Sequence, residues 1–414
     1  MKHIQSVGSL LLGILLIMLG NGMHYTLIGL RGGIEGFSAG ELAVVTSGYY
    51  VGFLSGARYT PLLIQRVGHV RVFAALGSFM SAGLLSFPLL TLPWAWVLLR
   101  LLIGFCMSGI YVTAESWLNE TATNETRGSI LSAYMIAQTL GIIGAQGILM
   151  LGDAGSSVLF IGASILVSVS FAPILLSMIK VPDSDVTPAM PVRKLFKEAP
   201  LCTVGIFLLG GVYATQSGMG AVYGTQMGLT PNEIAFFVAM LFAGALVLQT
   251  PMGWLSDRVD RRKLMLGAAS VGAVSCVLGW YSGSGLWWLL TSAFLAGGVT
   301  APLYALFIAY MNDSLSAKDM PAASGGLVFT FGIGAILGPL VAGWAMQRIG
   351  PPAFWGVLGG TFAMIAFYVR YRMTQKDSVA VEDTESYVSV VPTATPLAVE
   401  VATVWVAEQA EDHS

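Results

Sequence analysis

Twelve long apolar stretches dominate this chain and leave it few places to fold. They lie near residues 7–30, 41–64, 72–91, 94–118, 128–152, 156–180, 200–226, 231–255, 263–282, 286–312, 321–347 and 352–372. Each is long enough to cross the ~30 Å hydrocarbon core of a bilayer, which takes about 20 residues as a helix. In lipid the backbone has to satisfy its own hydrogen bonds, so runs of this length are helices, since barrel strands are far shorter. The chain of 414 residues is only 10% charged. A soluble fold draws roughly 25% of its residues from Asp, Glu, Lys and Arg to cover its surface. The fold class expected is therefore an all-α membrane protein with twelve transmembrane helices. Met1-Lys2 before an apolar run could open a signal peptide, but the stretch from Val7 to Leu30 exceeds an h-region, so an uncleaved first helix is expected.

Two stretches break the pattern. Residues 181–199 carry several prolines together with Arg193, Lys194 and Lys197, and read as a linker. Residues 373–414 are acidic, without helical period, and read as a disordered tail. The domains expected are a six-helix bundle over 1–180, the linker 181–199, a second six-helix bundle over 200–372 and the tail. With both termini in the cytoplasm, every Lys and Arg of the 20 falls at a cytoplasmic end or loop except Arg31, Arg100 and Arg348. That distribution follows the positive-inside rule and sets the orientation. The net charge of -2 gives no bias toward nucleic acid. Cys106, Cys202 and Cys276 lie in apolar runs without pair spacing, and the four histidines are scattered. Neither a metal site nor a cofactor is expected.

The halves repeat. A shift of 192 residues places Arg66 on Arg258 and Val67 on Val259, in short basic turns after spans two and eight. A shift of 193 places Gly141 on Gly334. Two pseudo-symmetric six-helix bundles with equivalent loops are the parallel-repeat plan of one large transporter class. The turn at 253–263, with Gly253, Leu255, Asp257, Arg258, Arg261, Arg262 and Lys263, resembles the signature loop of the major facilitator superfamily, with Asp260 in place of its second glycine. The first-half copy keeps Arg66, Gly68 and Arg71, with Pro61 and Gln65 where Gly and Asp are expected. Arg100-x-x-x-Gly104 is similar to the family's R-x-x-x-G motif. Residues 113–119, TAESWLN, and the start Arg127-Gly128 of span five resemble the YcaD-like branch of bacterial members. The family's antiporter motif has Gly-Pro in span five, where this chain has Ala145-Gln146.

The resemblance implies a secondary active transporter of the bacterial inner membrane, working by alternating access and expected to be a monomer. It implies a cytoplasmic gate at the signature loops, with Asp257 at the N-terminus of span five and Arg258, Arg261 and Arg262 pairing with Asp257 or Asp313. The other reading of these charges is topology anchors. Partners expected are a small-molecule substrate, protons and lipid. A drug or metabolite efflux antiporter, or a non-transporting membrane sensor on the same fold, are the alternatives. An enzyme is excluded for want of a catalytic cluster.

Polar residues inside spans mark the candidate cavity, because charge in the bilayer is costly and usually faces a cavity or a partner. Arg100, Gly104, Tyr111 and Glu115 share one face of span four. Arg100 and Glu115 stand about 22 Å apart along the helix, too far to pair. Glu115 reads as a proton carrier or as a bridge to Arg127 or Arg66. Arg100 reads as a cavity residue or an interfacial anchor. Asn21, His24, Tyr25 and Arg31 share one side of span one, and His24 is either a proton group or a hydrogen-bonded structural one. Tyr213, Gln216, Gly220 and Tyr223 share a face of span seven, and Tyr134 and Gln138 lie a turn apart on span five. Each aromatic can equally be packing.

Overall fold

The computed structural model describes residues 2–121, 126–175, 189–283, 285–313, 315, 319–375, 387 and 392. They form thirteen helices: α1 (Lys2–Ile34), α2 (Ala39–Val67), α3 (His69–Ser86), α4 (Pro93–Thr121), α5 (Arg127–Leu149), α6 (Val158–Leu175), α7 (Val192–Glu198), α8 (Pro200–Gln226), α9 (Pro231–Ser256), α10 (Arg261–Tyr281), α11 (Leu286–Asn312), α12 (Met320–Ile349) and α13 (Ala353–Met373). All but α7 correspond to the twelve apolar stretches. The short helix α7 falls within 181–199, the segment expected to link the two bundles. Its basic residues share one turn with Glu198, which Lys194 approaches at 3.8 Å.

Ten of the helices are long and apolar enough to cross a membrane by themselves. Besides the short α7, the two others are α2 and α6. In α2, Thr46, Ser47, Tyr49 and Tyr50 lower the apolarity, and all four are buried. In α6, the described part ends at Leu175. Large apolar side chains such as Leu12, Val44, Phe79, Ile165 and Phe367 point outward, as they do where lipid is the solvent. Trp94, Trp287, Trp288 and Tyr281 are exposed at helix ends, the depth that amphipathic rings prefer.

The chain divides into two compact units whose boundaries cross the sequence halves. One holds Met1–Val186, Ser217–Ala239 and Pro339–Pro351, and the other holds Thr187–Gln216, Met240–Gly338 and Pro352–Ser414. In the first unit, α2 and α4 meet along glycines. Gly48, Gly52 and Gly56 recur every four residues on one ridge of α2 and face the backbone at Val97, Leu101 and Phe105, while Gly104 of α4 faces the backbone of Tyr49. A side chain at any of these points would meet backbone, so small residues let the helices touch where lipid offers no hydrophobic drive.

The second unit repeats this seam. Gly244 of α9 faces Phe294, and Gly297 of α11 faces Leu241. The shifts of 192 and 193 that match the loops carry Gly52 onto Gly244 and Gly104 onto Gly297. Helix starts repeat as well. Ser38 and Glu41 cap α2 reciprocally, and Thr230 and Glu233 do the same for α9, again 192 residues on.

The signature turns are built differently. Gly68 takes φ +84° between α2 and α3, a conformation that favours glycine. At the equivalent position Asp260 has φ -47° and accepts the backbone N–H of Arg262, so a side-chain cap replaces the glycine bend.

Candidate functional site

The first unit contains a buried polar cluster formed by α1, α2 and α4. Its centre is Arg100, 1% exposed. Gly104, one turn on, brings α4 against the backbone of Tyr49 and so seats the guanidinium over the Tyr49 ring, 4.6 Å from its centroid. Tyr25 lies beside Tyr49, its ring centroid 5.5 Å from the guanidinium, and donates its hydroxyl to that of Tyr49 at 3.1 Å. Arg100 Nη1 lies 3.1 Å from His24 Nδ1. Guanidinium only donates, so Nδ1 accepts and the imidazole is the neutral tautomer with its proton on Nε2. The ring packs edge-on to Phe87 at 4.5 Å and Phe160 at 6.3 Å. Arg100 Nε, His24 Nε2 and both amide atoms of Asn21 are buried without a hydrogen-bond partner. Tyr50, next to Tyr49, shares a hydrogen bond of 3.1 Å with Ser217 of α8.

The other candidates separate from this centre. Arg31 pairs with Glu35 at 2.7 Å and donates to the carbonyl of Gly155, at the edge of the unit. Tyr111 donates to the Met18 sulfur at 3.3 Å. Glu115 is buried and accepts from the Tyr134 hydroxyl at 3.0 Å, and Gln138, one turn along α5, is buried with its amide nitrogen unpartnered. The side chain of Arg127 lies outside the described residues. On α8, Tyr223 packs on Phe237 within the first unit, while Tyr213 packs on Phe331 within the second. Gln216 accepts from Thr300 at 3.1 Å, in the second unit.

The turn after α9 holds one buried ion pair. Arg261, 3% exposed, contacts Asp313 at 2.5 Å and donates to the Ala309 carbonyl at 3.0 Å. Arg262 pairs with Asp260 at 3.3 Å. Arg258 stacks over Trp254 at 4.2 Å. Asp257 accepts the backbone N–H of Tyr387 at 2.9 Å, and the Tyr387 ring lies against Gly253, so one point of the region expected to be a free tail touches this loop. In the first half, Arg66, Gly68 and Arg71 are exposed.

Sequence reasoning missed Tyr49, Tyr50, Thr300 and Gln146. Gln146 stands where the antiporter motif has proline. It accepts from Thr26 at 2.8 Å and donates to the Gly22 carbonyl at 3.2 Å, tying α5 to α1. The Tyr-Tyr pair in the least apolar span was the one signal available for the α2 residues.

A fold of two repeated six-helix sets with membrane-spanning helices, holding an arginine-centred polar cluster at depth, defines a multi-pass membrane transporter. The chain belongs to the Major Facilitator Superfamily, whose family model matches residues 10–241 and 201–406. It is 27% identical over 344 residues to an uncharacterized MFS-type transporter of Enterobacter sp. (strain 638), covering 82% of this chain and 88% of that protein. It is 26% identical to the uncharacterized MFS-type transporter YcaD of Escherichia fergusonii, covering 84% and 90% of the two chains. It is also 26% identical to the uncharacterized MFS-type transporter YfkF of Bacillus subtilis, covering 78% and 89%. The fold is similar to the crystal structure of the nucleoside transporter NupG, with a TM-score of 0.71 at 15% identity over 91% of this chain and 100% of the other. It is similar also to a bacterial homologue of the lysosomal transporter Spinster, with a TM-score of 0.68 at 12% identity over 98% of both. Family and neighbours are membrane transporters, not enzymes.

Proposed function

We propose that this protein is a secondary active transporter of the bacterial inner membrane that moves a small solute by alternating access, driven by protons. Its moving bodies are the halves 1–180 and 200–372, with the segment 181–199, the tail 373–414 and both termini on the cytoplasmic side. The observation that carries this reading is the Arg100 cluster. A cation held at depth with unpartnered polar atoms around it is expensive to keep unless a path for solute reaches it.

Several features support an alternating mechanism. Tyr50 and Ser217 share a hydrogen bond, and Gly29 of α1 lies against Ala221 of α8. Both contacts join helices of different sequence halves and are small enough to break. In the second unit, the paired Arg261 and Asp313 hold the turn after α9 as one latch. Glu115 is the proton group in this scheme. It is buried on the Arg100 face of α4, and Tyr134 hydrogen-bonds its carboxylate.

Purified protein in liposomes with an imposed pH gradient tests the reading. Gradient-driven accumulation of a solute, lost in Glu115→Gln while solute exchange persists, is expected. Equal flux with and without the gradient across a broad solute panel refutes proton coupling.

A further inference from the structure

Resting on the transport reading above, we infer that the solute is an organic monoanion, a carboxylate on an aromatic or apolar body, and that Arg100 binds its carboxylate with Asn21 and His24 alongside. The chain itself supplies the comparison. Among the described residues three arginines are buried to a similar degree, Arg100 at 1%, Arg261 at 3% and Arg262 at 5% exposure, and Arg262 is paired with Asp260. Arg261 is neutralised by Asp313 at 2.5 Å. Arg100 touches an imidazole nitrogen and two neutral tyrosine rings, and none of these is an anion. A buried charge needs a counter-charge and satisfied donors, and here the missing member is the anion.

Of the four unpartnered atoms in the cluster, three are donors, Arg100 Nε, His24 Nε2 and Asn21 Nδ2, and one, Asn21 Oδ1, is an acceptor. His24 spends its only acceptor on Arg100, which leaves Nε2–H as a donor without a partner. Arg100 Nε–H and the Asn21 amide, on the side of α1 shared with His24, are unpartnered too. One guanidinium compensates one negative charge, so a monoanion fits, and a phosphate dianion would leave a charge over. The planar donor fork matches a carboxylate better than a spherical halide. Phe87, Phe160, Tyr25 and Tyr49 wall the cluster with rings against which an apolar body can lie.

The test is ligand-induced stabilisation of the full-length protein in detergent, with sodium acetate, benzoate and phenylacetate each set against its neutral amide, and with sodium chloride against sodium gluconate as ion controls. Binding to the native state raises Tm with ligand concentration. Benzoate or phenylacetate is expected to raise Tm where its amide does not. Arg100→Met should lose that shift while the empty protein melts no lower than wild type, because a cation without a counter-ion has been removed. Asn21→Ala and His24→Gln keep the guanidinium, and Arg100→Gln removes it. If Arg100→Met does not fold, these three decide, with carboxylate affinity expected to fall by ~30-fold or more when a buried charge partner is truncated.

The inference is overturned if no carboxylate exceeds its amide, if the shift survives in the Arg100 variants, or if chloride stabilises as well as benzoate. Its failure is separable from failure of the transport reading. Gradient-driven flux of a neutral solute with no carboxylate effect overturns the anion alone. Carboxylate binding at Arg100 with no flux overturns transport alone.

Discussion

Gly104 is the residue on which the position of Arg100 depends, so Gly104→Ala is a direct probe of the architecture. A Cβ built on Gly104 would lie 2.8 Å from the Tyr49 carbonyl carbon and 3.0 Å from the Phe53 nitrogen, and nearer still to the Tyr49 oxygen. These are backbone atoms, so no rotamer change can relieve the overlap and α2 must move away from α4. Overpacking of this kind costs about 1–3 kcal/mol, and rigid neighbours place it at the upper end. Replacing glycine by alanine within a helix returns about 1 kcal/mol through propensity. The net destabilisation expected is about 2 kcal/mol, with the Tyr49 ring drawn off the guanidinium as a further loss. Gly162 on α6 has no atom within 4 Å of its Cβ position, so Gly162→Ala should gain roughly 1 kcal/mol or be neutral. Gly297, the equivalent of Gly104 in the second unit, lies over Leu241 backbone and should behave as Gly104 does. Thermal unfolding of the three variants in one detergent decides the matter. If Gly104→Ala and Gly297→Ala melt with wild type or above Gly162→Ala, the glycine seams are not what sets the helix spacing.

Arg261→Gln should destabilise by about 3–5 kcal/mol, because Asp313 is left buried without its partner, and Arg261→Met with Asp313→Leu should restore much of it; a full double-mutant cycle by thermal unfolding checks this. Gln146→Leu leaves the Thr26 hydroxyl without its acceptor and should cost about 1–3 kcal/mol, with Gln146→Leu combined with Thr26→Val recovering part of the loss. Tyr50→Phe removes the bond to Ser217 and should favour the opposite conformation about fivefold, for ~1 kcal/mol. A Thr225→Cys reporter, near Gly33, should then be labelled faster by a membrane-impermeant maleimide, with low background because Cys106, Cys202 and Cys276 are buried. An unchanged labelling rate would show that this contact does not bias the conformation.

Much of the fold was legible because lipid allows so little. An apolar run of span length has one backbone solution, a helix. The repeat was also in the sequence, and more strongly than the loops alone suggested. The capping pairs Ser38/Glu41 and Thr230/Glu233, and the glycines at 52, 104, 244 and 297, follow the same shift. The site was half legible. Arg100, His24 and Tyr25 were recognisable as polar residues at depth, since each helix face can be counted from its own periodicity. Helix α7 was missed because a seven-residue helix among prolines and charges carries no period.

Sequence by itself determined which long stretches form the twelve apolar helices, and that two six-helix sets share one plan. Only the tertiary structure decided that Tyr49 lies under Arg100, that Asp313 neutralises Arg261, and that no carboxylate among the described residues neutralises Arg100. The periodicity of a helix is local and readable along the chain. The partner of a buried charge depends on how closely two distant helices approach, and that approach is fixed by packing rather than by either helix alone.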